Sequence, residues 1–221
     1  VPGIRRRALI DLEAFRSNAS GGDLDARADA YGHGIRHLAE VALSTGHHTV
    51  VVSDDRDSAA ALAAGYPSAA VRIDRAGAEA STTAYGVDGV GRPVMSLIGE
   101  VIAVKEVGAG EGVSYGYTYR TRRATRLALV GLGYADGVPR LASNRARVLV
   151  GDARHPLVGR IAMDQFMLDV GDAEVEAGMD AVLFGDPDRG EPSAREWAEW
   201  TERSPLALTA GIAARVVREI R

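Results

Sequence analysis

Ala124-Thr125-Arg126-Leu127-Ala128-Leu129-Val130-Gly131-Leu132-Gly133-Tyr134-Ala135-Asp136-Gly137 lies within the most informative part of this 221-residue chain. Around it, over 113–170, short runs of Val, Leu, Ile and Met are broken by turn residues at intervals of about 8–12. The runs predict strands at 113–119, 124–134, 146–150, 156–162 and 165–170. Ala135-Asp136-Gly137 and Gly159-Arg160-Ile161-Ala162-Met163-Asp164-Gln165 lie among them. Short strands in such close succession read as an all-β domain.

The same reading extends outward. A long strand is expected at 95–107, with its turn at 107–111, and a last clear strand at 179–184. Gly185-Asp186-Pro187-Asp188 is a loop. Ser193 followed three residues later by Glu196 is a capping box for a helix at 194–201. Ile212, Val216 and Ile220, four apart, predict a closing helix at 206–220.

Upstream the period changes. Ala8-Leu9-Ile10-Asp11-Leu12 reads as a strand entering a helix at 13–18, and Gly21-Gly22 interrupts. A short strand at 24–28, an amphipathic helix at 35–44, a buried strand at 49–52, a helix at 57–64 and a strand at 69–73 follow. Ser53 or Asp54 caps the 57–64 helix. This is two or three βα units of roughly 30 residues each.

Composition narrows the function classes. The formal net charge of −4 argues against nucleic acid or a membrane surface as partner. No apolar run approaches the ~20 residues of a membrane helix, no signal peptide is visible, and a cytoplasmic protein is expected. Arg5-Arg6-Arg7 reads as the solvated edge of the first strand. With no cysteine, thiolate metal sites and thiol nucleophiles are excluded. His33, His47, His48 and His155 lack metal-ligand spacing and read as surface or core groups. Of 26 basic residues one is lysine, Lys105. Arginine is a poor imine nucleophile, so lysine Schiff-base chemistry has one candidate in the chain.

Arg27-Ala28-Asp29-Ala30-Tyr31-Gly32-His33-Gly34 sits between a strand and a helix. Glycines there let backbone approach a ligand, and a helix N-terminus offers N–H groups to phosphate. On its own the layout is a weak signal, because turn glycines usually serve only the turn.

Taken together, Val113-Ser114-Tyr115-Gly116 with Thr118-Tyr119, Gly133-Tyr134-Ala135-Asp136-Gly137, Val158-Gly159-Arg160-Ile161 and Met163-Asp164-Gln165 resemble the C-terminal domain of alanine racemases. These enzymes use pyridoxal 5'-phosphate to interconvert L- and D-alanine for cell-wall precursors. From Arg92 onward the resemblance is nearly continuous. It implies an α+β protein: the all-β C-terminal domain at 91–221, and at 1–90 a truncated remnant of a (β/α)8 cofactor-binding barrel, the first strand joining either part. A closed barrel of that type takes ~250 residues, and fewer than 100 precede the β-domain here.

The resemblance also implies roles. Tyr134 corresponds to the tyrosine base on one face of the substrate; free tyrosine titrates near ~10 and needs electrostatic help for that task. Met163 corresponds to the residue whose backbone N–H faces the substrate carboxylate, with Asp164 beside it; read from the sequence alone, Met163 packs inward at a hairpin. Tyr31 corresponds to a tyrosine that contacts the cofactor phosphate. Arg27 stands where the family has the lysine that holds the cofactor and serves as the second base. Leu206-Ala207 stands where the family has a Tyr-Glu pair. The family's pyridine-contacting arginine, ring-stacking histidine and phosphate-binding serine have no counterpart, and Arg75-Ala76-Gly77 is too far from Tyr85-Gly86 to supply the first. Lys105 matches an ordinary strand position. In the family the β-domain of one subunit reaches its partner's barrel, so Tyr134 and Met163 are expected to act in trans. The expectation is therefore an impaired racemase-like protein, forming a homodimer or a heterodimer with a full-length racemase. The alternative is a non-catalytic dimerisation or interaction module.

Overall fold

The computed structural model describes residues 3–74 and 80–221; Arg75-Ala76-Gly77 lies outside the described residues. The chain forms two compact units. One comprises 9–95 with 205–211 and 218–221; the other comprises 1–8, 96–204 and 212–217. The first strand, β1 (Arg6–Ile10), contributes to both.

In the first unit β2 (Asp23–Asp25), β3 (Thr49–Val52) and β4 (Val71–Ile73) form a parallel sheet in that order. Leu24 lies opposite Val50, and Val50 opposite Val71. Helices Ile35–Ser44 and Asp55–Ala63 connect the strands. Leu24, Val50, Val51, Leu38 and Ala42 are buried, which follows from parallel strands covered by apolar helix faces. Among the described residues this parallel sheet has three strands, where a closed (β/α)8 barrel has eight. Asp11 caps the helix Leu12–Asn18 by accepting from Ala14 N at 2.8 Å. Asp54, one of the two candidates, caps Asp55–Ala63.

The second unit is mostly β. Its strands are β5 (Met95–Val107), β6 (Gly112–Val113), β7 (Tyr119–Arg120), β8 (Thr125–Val130), β9 (Arg147–Val150), β10 (Ala153–Val158), β11 (Phe166–Asp169) and β12 (Asp180–Phe184). The order β12-β9-β10-β11-β8-β5 closes on itself, because β12 also pairs with β5, Val182 opposite Ile98. Closure removes exposed sheet edges. Leu97, Val130, Leu157, Leu168 and Leu183 fill the interior. Helix Ala194–Thr201 carries the expected Ser193–Glu196 capping box and seats the buried Trp197 against Phe184, ring centroids 6.5 Å apart.

Several expectations are corrected. Residues 113–119 are no continuous strand. β6 and β7 pair Val113 with Tyr119, and between them Ser114 and Tyr117 adopt φ of 60° and 45°, incompatible with extended chain. The closing helix is only Pro205–Ala210; Gly211 follows, and 217–220 is a strand, β13 (Val217–Ile220). Ile212 and Val216 are buried while Ile220 is exposed, so the four-residue spacing did not mark one helix face. The strand expected at 24–28 stops at Asp25. Arg5, Arg6 and Arg7 are not merely solvated. Arg5 pairs with Glu100 at 3.6 Å, Arg6 with Asp136 at 3.4 Å and Arg7 with Asp180 at 2.5 Å. Among the described residues no helix is long and apolar enough to cross a membrane.

Candidate active site

In the first unit, β2 delivers Asp25 to a pocket of its own side chains. Its carboxylate is almost fully buried, and Arg27 grips it through Nε to Oδ1 at 2.9 Å and Nη2 to Oδ2 at 2.5 Å. The Tyr31 hydroxyl donates to Oδ2 at 2.7 Å, and the Tyr85 hydroxyl donates to the Asp25 carbonyl at 2.7 Å. Burial alone would raise the Asp25 carboxyl; the Arg27 guanidinium, the Tyr31 hydroxyl and the Arg27 amide together hold it below its usual value. The same contacts raise Arg27 further above its ordinary range. Burial and the carboxylate beside it push the Tyr31 phenol up to about 12, so it stays a donor.

The chain after Arg27 is unusual. Ala28, Asp29, Ala30 and Tyr31 have φ between 50° and 54°, a left-handed turn of four non-glycine residues. Each such residue costs about 1–2 kcal/mol relative to the right-handed form, so the surroundings must hold it. They do so with Ala28 N to Ser53 Oγ at 2.9 Å, Asp29 N to Asp57 Oδ2 at 3.0 Å and His33 Nδ1 to Ala30 O at 2.9 Å. Gly32 closes the turn at φ 78°, where a Cβ would fall 2.2 Å from the Thr209 carbonyl oxygen.

The helix Ile35–Ser44 was expected to offer free amides. Its first, Ile35 N, is already bonded to Asp29 Oδ1 at 2.9 Å. The imine that holds pyridoxal phosphate in the family needs a side-chain amine. Position 27 presents a guanidinium closed on Asp25, and the Tyr31 hydroxyl is spent on the same carboxylate. These residues do not fit covalent attachment of that cofactor. Leu206 and Ala207, on Pro205–Ala210, carry no hydroxyl.

In the second unit, Tyr134 lies in a single tight helical turn, Tyr134–Asp136, rather than at a strand end. Its amide donates to Ala162 O at 3.1 Å, and Ala135 N donates to Met163 O at 3.0 Å, so Tyr134 and Met163 share one backbone junction. Gly133 makes the junction possible: a Cβ there would fall 2.3 Å from the Met163 carbonyl oxygen. Both side chains are exposed, Tyr134 by 41% and Met163 by 53%, so Met163 does not pack inward. Ile161 and Phe166, on either side of it in the chain, are the buried residues of this segment.

Asp136 anchors the turn from below. It is fully buried, accepts from Gly133 N at 2.7 Å and from Arg215 Nε at 2.6 Å. Arg215 Nη2 also reaches Asp164 Oδ1 at 2.6 Å, tying the Tyr134 turn to the Met163-Asp164 turn. Arg140 lies over the Tyr134 ring at 5.6 Å and donates to the Tyr115 hydroxyl at 2.6 Å. The structure therefore brings together Arg27 with Tyr31, and Tyr134 with Met163 and Asp164. Sequence reasoning missed Asp25, Arg140 and Arg215. Asp25, two residues before Arg27 on a strand, was the one with a readable signal; Arg215 was hidden in the misassigned helix. His33, His47 and His155 are buried core groups. Among the described residues no group of three or more His, Asp or Glu could hold a metal.

Comparison with known proteins gives this geometry its context. The family model "Alanine racemase, C-terminal domain" matches residues 94–220. An alanine racemase of Thermobifida fusca is 48% identical over 127 residues, which is 58% of this chain and 34% of that protein. One of Frankia casuarinae is 49% identical over 127 residues, 58% of this chain and 33% of that protein. The chain thus spans about a third of the length of the curated relatives it matches. Among solved structures, alanine racemase from Streptomyces coelicolor A3(2) aligns with a TM-score of 0.84 at 25% identity, covering 98% of each chain. With the family model covering more than half of its residues, the chain belongs to the alanine racemase family through its C-terminal domain.

Proposed function

We propose that this chain is a racemase-type protein impaired in the interconversion of L- and D-alanine, which keeps the Tyr134 half of a racemase site and has lost the lysine half. Racemisation removes an α-proton and returns it to the opposite face, with pyridoxal phosphate, when bound, supplying the electron sink. The observation that carries the reading is the closed Arg27–Asp25 pair at the family's lysine position. A guanidinium so held neither forms an imine nor accepts a proton near neutral pH. Loss of one member of a unit-acting catalytic set commonly removes most of the rate enhancement. Added pyridoxal phosphate should give no imine absorbance band, and L-alanine should keep its α-proton in D₂O. A saturable imine band together with α-proton exchange would overturn the proposal. Arg27→Lys alone should not restore turnover.

A second reading follows from the exposed Tyr134–Met163 face. The β-domain lends Tyr134 to a partner subunit, in a homodimer or in a heterodimer with a full-length racemase. Such a protein would act in the cytoplasm beside the complete enzyme. The test is complementation: a full-length racemase lacking its own catalytic tyrosine should regain activity when mixed with this chain, and not with the Tyr134→Phe chain. No complex at micromolar concentration would end this reading.

A further inference from the structure

A recess on the second unit is lined by Ala162, whose carbonyl accepts from Tyr134 N, but by none of Arg27, Tyr31, Tyr134 or Met163. Its floor comes from three neighbouring strands. Ala103 of β5 is paired with Leu129 of β8, Lys105 with Leu127, and Leu129 with Met167 of β11. Directly opposed residues share a sheet face, so these five side chains project together. The register of β5 shifts between Val101 and Ala103. Val101, before the shift, is paired with Val130 in the interior; Ala103 and Lys105, after it, are exposed. A bulge re-aims the strand's side chains in this way. Here it turns Lys105, the single lysine of the chain, to the outer face.

Ser114 and Arg160 border the same recess, whose volume is about 290 Å³, with Gln165 also in its wall. Arg160 is held in place: its guanidinium lies over the Tyr115 ring at 5.6 Å, and its carbonyl accepts from Ser114 Oγ at 2.7 Å. Among the described residues neither Lys105 nor Arg160 is paired with a carboxylate, although the chain carries 30 acidic residues. An apolar cup bordered by two uncompensated cations and an amide matches one ligand chemistry. The apolar floor takes a hydrocarbon tail, and the cations take an anionic head.

We propose that this recess binds a small carboxylate with an apolar tail, the carboxylate between Lys105 and Arg160 and the tail on Ala103, Leu129 and Met167.

Hexanoate is a suitable probe, with acetate and hexanol as controls for head and tail. Reductive ¹³C-dimethylation keeps the charge and gives one lysine side-chain signal in this chain. Hexanoate should shift that signal and the Met167 methyl saturably, at one common dissociation constant. Each methylene between butyrate and hexanoate should tighten binding about fourfold, the equivalent of ~0.8 kcal/mol per buried CH₂. Acetate and hexanol should bind at least tenfold more weakly. Lys105→Gln and Arg160→Gln should each weaken hexanoate about tenfold, and Leu129→Trp should abolish its binding. If acetate and hexanoate act alike, the effect is ionic screening and the proposal fails. It fails equally if hexanoate leaves the Met167 methyl unmoved, or if Leu129→Trp, folded by circular dichroism, binds as the parent does.

Discussion

Arg27 and Asp25 form a two-bond ion pair, at 2.9 and 2.5 Å, around a carboxylate whose side chain is 3% exposed. The guanidinium neutralises a buried carboxylate whose remaining side-chain donor is the Tyr31 hydroxyl. Breaking a buried pair from one side leaves an uncompensated charge. Because Arg27 is itself a quarter exposed, Arg27→Met should cost about 2–4 kcal/mol, towards the lower end of such losses. Urea unfolding followed by circular dichroism measures it. Asp25→Asn combined with Arg27→Met should recover part of the loss, and an unchanged midpoint in the single variant would contradict the account.

His33 sets the acid limb of stability. Its ring is fully buried, Nδ1 donates to the Ala30 carbonyl at 2.9 Å, and Nε2 has no partner. Burial pushes the imidazole down to about 4, against the pull of the Ala30 and Tyr31 carbonyls. A folded value below the unfolded one of ~6.5 means that the unfolded chain binds the proton first. The contribution is therefore complete above pH ~6.5 and is lost as pH falls towards the folded value. Between pH 7 and pH 5 this amounts to about 2 kcal/mol. His33→Phe should flatten that limb, and the same slope in variant and parent would assign it to other groups.

The elements written most clearly in the sequence were those whose local signals and tertiary burial agree. Ser193 and Glu196 bound a helix that the structure keeps residue for residue, and so does the apolar run of β5. The failures lie where backbone geometry departs from what side-chain pattern encodes. The left-handed turn at Ala28–Tyr31 is held by Ser53 and Asp57, distant residues that no local reading connects to it. At the C-terminus, Ile212 and Val216 are buried in a non-helical segment, so a helical spacing arose without a helix. The motifs that stand out in the sequence come together in the structure, Arg27 with Tyr31 around Asp25, and Tyr134 with Met163 at one backbone junction. Of their supports, Asp25 had a local signal in its place on a strand two residues before Arg27, whereas Arg215 read equally as surface charge.

Gly133 determines whether Tyr134 and Met163 stay together. The glycine lets the Tyr134 turn approach the 162–163 backbone closely enough for Tyr134 N to bond Ala162 O and Ala135 N to bond Met163 O. In Gly133→Ala the added Cβ meets backbone oxygens on both residues, neither of which can rotate away. Both hydrogen bonds should open, at a cost of about 2–4 kcal/mol in line with other severe backbone conflicts. Amide exchange of Tyr134 and Ala135 is the direct readout. Retained protection at both amides in a folded Gly133→Ala chain would show that the junction has slack the geometry does not suggest.

Asp136 links the Gly133 amide, Arg215 and Arg6 in the second unit. Its carboxylate, with no solvent exposure, accepts from the Gly133 amide and from Arg215, and Arg6 stands 3.4 Å away. Asp136→Ala removes the acceptor that fixes the Gly133 amide and leaves Arg215 held only by the half-exposed Asp164. The loss should be about 3–5 kcal/mol, as for other buried charged partners removed singly. Arg215→Met should cost less, because Asp136 then keeps the Gly133 amide and Arg6. Trp197 is buried in the same unit, so tryptophan fluorescence in urea reports both variants. Equal losses in the two would mean that Arg215, not the Gly133 amide, is the partner that matters, and that the Tyr134 turn is held through its link to Asp164.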